Sequence, residues 1–269
     1  MFNPLKGILK EIIQHKIHEV ERRKKNRSLD ELIRLAAFAP PVRDFHTALK
    51  RGSGPIRLLA EIKAASPSTG TIRDRFDPSE IARLYETGGA SAISILTDEK
   101  YFSGQDEHLQ SAKAAVSVPV LRKDFTIDEY QLYESRVIGA DAVLLMAQVL
   151  DIDSFSRLLK KARELGLHVL AEGHTQDQID AIVSLRAETI GINNRDFDTM
   201  TTDLETTLRL RDRIPRERVL VSQSGISRRE EIKRLEAEGI DAVQIGTSIM
   251  KQENMKDYLR GLLGRKTSS

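Results

Sequence analysis

Between residues 58 and 247 one unit recurs eight times: a short apolar stretch, a polar or glycine-containing turn, and a run with apolar residues at helical spacing. The apolar stretches are LLAEIKA (58–64), SAISILT (91–97), VPVLRKD (118–124), DAVLLMA (141–147), HVLAE (168–172), TIGINN (189–194), RVLVSQ (218–223) and DAVQIGT (241–247). Each is apolar on both alternating faces, which predicts a strand buried on both sides. The runs between them carry helix punctuation. DPSEIARLYETGG has Pro78 near its start and Gly88-Gly89 at its end, while DSFSRLLKKARELG and RREEIKRLEAEG close on Gly166 and Gly239.

Such strands, alternating with helices, require a parallel sheet with helices outside it. A doubly wound open sheet would place a G-x-G-x-x-G turn after its first strand, and the turn here is KAASPSTGTI. Eight units match the closed eightfold barrel instead. Weak internal repetition agrees, since GADAVLLMA and GIDAVQIGT share a Gly-x-Asp-Ala-Val entry into a strand. The predicted fold class is α/β, a (β/α)8 TIM barrel with an N-terminal helical extension. Residues 1–50 read as helices, PLKGILKEIIQHKIHEVERR and then SLDELIRLAAF, the second ended by Pro40-Pro41. They lack a core of their own and are expected to pack on a catalytic barrel spanning 51–269. The basic run Arg22 to Arg27 reads as a solvated helix C-terminus, which the helix dipole favours.

Composition narrows the partners. With 42 basic and 40 acidic residues the net charge is +2, which gives no whole-molecule field for nucleic acid or membrane. There is no cysteine, hence no disulfide and no thiolate chemistry. The six histidines are scattered without an H-x-x-x-H pair, so no metal is expected, and His174 reads as a loop residue. No stretch matches a signal peptide or a membrane span of about 18 apolar residues. The expectation is a cytoplasmic protein acting on a small molecule, with a monomer as the default.

In this fold the active site lies at the C-terminal ends of the strands. The first strand ends in Glu61-Ile62-Lys63, where alternation sends Glu61 and Lys63 to one side. The third ends in Arg122-Lys123-Asp124, the fifth in Glu172, the sixth in Asn193-Asn194-Arg195 and the seventh in Gln223-Ser224. Any one of these could be a satisfied packing pair, but several converging strand tips point to acid–base work by lysines and carboxylates. The turns after strands seven and eight, Ser224-Gly225-Ile226-Ser227 and Gly246-Thr247-Ser248, are built of small residues that let backbone N–H groups approach an anion. Loops at these two positions commonly hold phosphate. The ligand is therefore expected to be a small phosphorylated molecule, handled without a cofactor.

The stretches LLAEIKAASPS, ILTDEKYFSG, VPVLRKDF, DAVLL, IGINNRD, DLETTLRL and SGIS resemble the indole-3-glycerol phosphate synthase family, over nearly the whole chain. The resemblance implies cofactor-free conversion of 1-(2-carboxyphenylamino)-1-deoxyribulose 5-phosphate to indole-3-glycerol phosphate, with loss of CO2 and water, in tryptophan biosynthesis. It implies a carbon–carbon lyase of the carboxy-lyase type. By resemblance Lys123 is the general acid for ring closure and Glu172 assists proton transfer in dehydration. Glu61 and Lys63 position and polarise the substrate, with Lys63 a further candidate acid, and Asn193 orients the intermediate. Ser224 and Gln223 complete the catalytic set. Ser66, Phe125, Leu144 and Arg195 are implied substrate contacts, and Gly225, Gly246 and Thr247 an implied phosphate cradle.

The chain departs from the family at Ser222-Gln223-Ser224-Gly225, where the family reads Ser-Glu-Ser-Gly. An amide keeps the shape but carries no charge. A carboxylate here would favour the protonated form of a nearby lysine, so Gln223→Glu is expected to raise activity. Two other readings compete: a phosphate-ligand-binding barrel with catalysis weakened by Gln223, and a phosphoribosylanthranilate isomerase-like barrel. The latter's acid–base pair is expected to include a cysteine, which this chain lacks.

Overall fold

The computed structural model describes residues 2–67, 70–73 and 75–265. All eight expected strands form: β1 (Arg57–Ile62), β2 (Ala92–Leu96), β3 (Val120–Lys123), β4 (Ala142–Met146), β5 (His168–Gly173), β6 (Thr189–Asn193), β7 (Val219–Gln223) and β8 (Ala242–Ile245). They close into one barrel in sequence order, β8 pairing with β1, and every pairing is parallel. Nearly all strand residues are buried, as a parallel sheet covered by helices demands. A short antiparallel ladder, Ala65–Ser66 with Gly70–Thr71, follows β1.

The helix signals act as their chemistry requires. Asp77 caps the helix Pro78–Gly88 by accepting from the Ser79 and Glu80 N–H groups, and Gly89 ends it at φ +109°, a conformation that only glycine adopts cheaply. The repeated Gly-x-Asp-Ala-Val motif has one mechanical use at both sites. Asp141 accepts from the N–H of Val120 and of Arg43, at 2.7 Å each. Asp241 accepts from the N–H of Leu220 at 3.1 Å and of Arg51 at 3.3 Å. Each aspartate thus pins the start of the preceding strand to the segment entering the barrel, at the end opposite the expected site, where this fold places stability.

The first fifty residues form α1 (Gly7–Asn26), α2 (Leu29–Ala36) and α3 (Phe45–Leu49). The short α3 was not visible as a periodic segment. Asp44 caps it, and it seats Phe45 and Leu49, both fully buried, against the barrel near the start of β6, where His46 Nδ1 lies 3.1 Å from Thr189 Oγ1. The basic run at the end of α1 is solvated as expected at Arg22, Lys25 and Arg27, but not at Arg23 and Lys24. Arg23 pairs with Glu19, Glu99, Asp106 and Glu134, and Lys24 pairs with Asp128. Carboxylates on the barrel helices, Asp106, Asp128 and Glu134 among them, recruit these two cations, which periodicity along α1 alone does not reveal. Among the described residues no helix is long and apolar enough to cross a membrane.

Candidate active site

The strand tips and the loops after them enclose a cavity of about 480 Å³. Its floor is set by alternation and register. Glu61 and Lys63 share a face of the β1 tip, as expected, and Lys63 Nζ lies 2.6 Å from Glu61 Oε1. Across the barrel, Glu172 Oε1 accepts from Asn193 Nδ2 at 3.0 Å, and the Asn193 Oδ1 in turn accepts from the Arg195 N–H. Lys123 extends from β3 between the two carboxylates, its Nζ 3.9 Å from Glu61 Oε2 and 3.6 Å from Glu172 Oε2. The arrangement is an ammonium suspended between two carboxylates, open to the cavity on one side.

Burial alone would raise the pKa of the Glu61 carboxyl, but Lys63 and Lys123, with the Gln244 amide, more than reverse this and hold it below the usual range. Glu61 is therefore an anion at neutral pH. It can fix and polarise neighbouring cations and cannot serve as a proton donor there.

Thirteen of the fourteen residues singled out from the sequence line this one cavity: Glu61, Lys63, Ser66, Lys123, Phe125, Leu144, Glu172, Asn193, Arg195, Ser224, Gly225, Gly246 and Thr247. Gln223 does not; it lies 1% exposed beneath the floor. The cavity has two ends of different character. Ile8 and Ile12 of α1, with Phe102, Phe125, Leu144 and Met146, form an apolar wall suited to an aromatic ring. Ser224, Gly225, Ser227, Gly246, Thr247 and Ser248 form a small-residue end, with Lys251 at its rim.

Local geometry at that end refines the anion reading. Ser224 and Gly225 both have positive φ, +70° and +79°, so the backbone turns sharply off the tip of β7. The N–H groups of Ser227 and Arg228, however, are occupied by Glu231 Oε2 at 2.8 and 3.0 Å. The two N–H groups that lead into the helix beginning at Arg229 are thus taken by that helix's own carboxylate and are not available to an anion. The turn before it and the loop after β8 remain.

Sequence reasoning missed Gln244 and the α1 contribution. Gln244 lines the cavity floor, and its only signal was one polar residue in an apolar strand. His174 is a loop residue, as expected, with Nδ1 2.7 Å from the Asn193 carbonyl. Among the described residues no cluster of His, Cys, Asp and Glu could hold a metal ion.

Comparison with known proteins adds to this geometry. The profile of the family Indole-3-glycerol phosphate synthase matches residues 9–262. An indole-3-glycerol phosphate synthase of Acidithiobacillus ferrooxidans is 44% identical over 257 residues, 95% of this chain and 98% of that one. One of Legionella pneumophila is 41% identical over 259 residues, 96% of this chain and 99% of that one. Among solved structures, a tryptophan synthase alpha-subunit from Pyrococcus furiosus superposes with TM-score 0.59 at 16% identity, covering 77% of this chain and 98% of its own. A thiamine phosphate pyrophosphorylase from the same organism gives 0.59 at 15% identity, covering 77% and 93%. At these identities the structural matches speak for the barrel fold alone.

Proposed function

The chain belongs to the indole-3-glycerol phosphate synthase family of tryptophan biosynthesis, and on that premise we propose how its barrel mouth forms the indole ring. The substrate is 1-(2-carboxyphenylamino)-1-deoxyribulose 5-phosphate, and the enzyme acts as a carboxy-lyase. The ring carbon bearing the carboxylate attacks the ribulose ketone, whose oxygen must gain a proton. Loss of CO2 restores the aromatic ring, and loss of the new hydroxyl as water, with a proton from the adjacent methylene carbon that bears the nitrogen, completes the indole.

The reading is carried by the Lys123 ammonium held between Glu61 and Glu172. Lys123 donates the proton to the ketone, and Glu172, anchored by Asn193, assists proton transfer in dehydration. Glu61 stays ionised and orients Lys63 and Lys123 toward the substrate. The apolar wall of Ile8, Ile12, Phe102, Phe125 and Leu144 takes the aromatic ring, with Ser66 and Arg195 as polar contacts. Gly225, Gly246 and Thr247, at the opposite end, receive the phosphate.

The test is Lys123→Ala, assayed by indole fluorescence and by binding of a phosphate-bearing substrate analogue. Ring closure is expected to be lost while the analogue still binds. Normal turnover would remove Lys123 from the chemistry, and a loss of affinity of about tenfold or more would make its role mainly binding.

A further inference from the structure

Two amides close a ring beneath the cavity floor. Gln223 Nε2 donates to Glu172 Oε2 at 2.9 Å and to Gln244 Oε1 at 2.7 Å, and Gln244 Nε2 donates to Glu61 Oε2 at 2.6 Å. Strand register makes this unavoidable: Gln223 on β7 is directly paired with Gln244 on β8 and with Asn193 on β6. With Lys123 bridging the same two carboxylates from the cavity side, the circuit runs Lys123, Glu61, Gln244, Gln223, Glu172 and back to Lys123.

The direction of the amide chain is forced. An ionised carboxylate only accepts, so Glu61 fixes the Gln244 nitrogen toward itself. The Gln244 oxygen then faces Gln223 and requires a donor. Gln223 supplies one hydrogen there and its other to Glu172. Its own Oε1 is left against Gly191, with no hydrogen-bond partner among the described residues. A buried unpaired acceptor is costly, and here it accompanies two donations made by one nitrogen, one of them to a carboxylate. Acceptors at both ends of the chain are satisfied by a double donor at 223 and a donor–acceptor amide at 244.

We propose that Gln223 and Gln244 are a positioning pair for the ring-forming reaction: they hold the Glu61 and Glu172 carboxylates apart and aimed so that the Lys123 ammonium stays suspended between them. Neither acts on the substrate directly. Gln223 is beneath the floor, and both ends of the Gln244 amide are already engaged. The inference rests on the roles given above to Lys123 and Glu172. The charged groups around this cavity are Glu61 of β1 and Lys63 just after it, Lys123 of β3 with Asp124 next to it, Glu172 of β5, Arg195 after β6 and Lys251 after β8; β4, β6, β7 and β8 present Met146, Asn193, Gln223 and Gln244, which are neutral.

The experiment compares the full chain with Gln223→Met, Gln244→Met, the double variant and Gln223→Glu, reading kcat, KM, the pH profile of kcat and the melting temperature. Methionine keeps the length and removes the hydrogen bonds. Each single variant is expected to lose about tenfold in kcat, with KM changed less than about threefold. The double variant should be no worse than the poorer single one, because the bridge is already broken. In Gln244→Met the acid limb should move to higher pH, since the Glu61 carboxyl loses the Gln244 donor, one of the groups that hold its pKa below the usual range. Gln223→Glu is nearly isosteric, so it guards against misfolding as an explanation. Its carboxylate would meet acceptors on both sides, and kcat should fall about fivefold or more. That reverses the gain expected from the sequence, because the structure puts the position against Glu172 rather than against a lysine alone. A kcat for Gln223→Glu equal to or above that of the unmodified chain would overturn the bridge, as would methionine losses that multiply or that appear only in melting temperature. Failure of the unmodified chain to form indole product would instead overturn the catalytic reading on which the bridge rests.

Discussion

Lys16 of α1 and Asp124, the residue after Lys123, form a buried ion pair at 2.9 Å. The same ammonium pairs with Asp98 and Glu19, each also at 2.9 Å. Asp124 in turn accepts from Thr97 Oγ1 and from the Phe125 N–H, both at 2.8 Å, so it fixes the backbone leaving β3. Lys16 stands four residues beyond Ile12 and eight beyond Ile8, on the same helix face that walls the cavity. The N-terminal extension is therefore bolted to the tip that carries Lys123.

Lys16→Met is expected to destabilise the fold by roughly 3–5 kcal/mol, because it leaves buried Asp98, Asp124 and Glu19 without their shared cation. Urea unfolding measures this. A change within about 0.5 kcal/mol would mean that the carboxylates find another partner and that the bolt is not structural.

The same cluster gives stability a definite pH window. Burial would raise the pKa of Asp124, yet Lys16 and Arg122 hold it far below the ordinary carboxylate range. A depressed carboxylate contributes fully above its unfolded pKa of about 3.9 and loses that contribution as pH falls toward its folded value. Burial would lower Lys16, yet Asp124, Asp98 and Glu19 raise it well above its ordinary value. A raised lysine contributes fully below its unfolded pKa of about 10.4 and loses that contribution as pH rises beyond it. Unfolding free energy from this cluster should be flat between these limits and decline outside both. Lys16→Met should flatten both declines, and unchanged limbs in that variant would assign the pH dependence to other groups.

Lys251 is an exposed cation at the rim of the small-residue end of the cavity. If phosphate sits there, Lys251→Ala should raise KM about fivefold and leave kcat unchanged, because an exposed charge adds binding common to substrate and transition state. The difference should shrink in about 0.5 M salt, where exposed charges are screened. A KM that does not respond to the substitution at low salt would place the phosphate away from Lys251.

The eight strands were legible because burial on both faces leaves no alternation to misread, and the tips Glu61, Lys63, Lys123, Glu172 and Asn193 followed from where strands end. What escaped was everything set by pairing across the chain. Gln244 looked like one polar residue in an apolar strand until register placed it beside Gln223. Lys16 was not singled out, although its spacing from Ile8 and Ile12 put it on the buried face. The five residues of α3 are too few for a helical period to show. Periodicity reports which side of an element is buried, and it is silent about which partner waits there.

Gly246 illustrates how one residue can satisfy two readings, and how to separate them. The sequence assigns it to a phosphate cradle, where the lack of a side chain exposes backbone N–H groups. The structure gives it a second duty. A Cβ at this position would lie 2.6 Å from Glu61 Oε1 and 2.9 Å from Glu61 Cβ, closer than real Cβ contacts come. Glu61 has little freedom to yield, since one oxygen is held by Lys63 and the other by Gln244, both at 2.6 Å. Gly246→Asp would therefore confound the two duties, adding charge at the anion end and displacing Glu61 at once. Gly246→Ala separates them, because it adds bulk without charge and keeps every backbone N–H. Overpacking of this kind costs roughly 1–3 kcal/mol, and the displaced Glu61 should lower kcat by about tenfold while KM changes little. An unchanged kcat with a raised KM would return Gly246 to the phosphate alone and show that Glu61 tolerates the crowding.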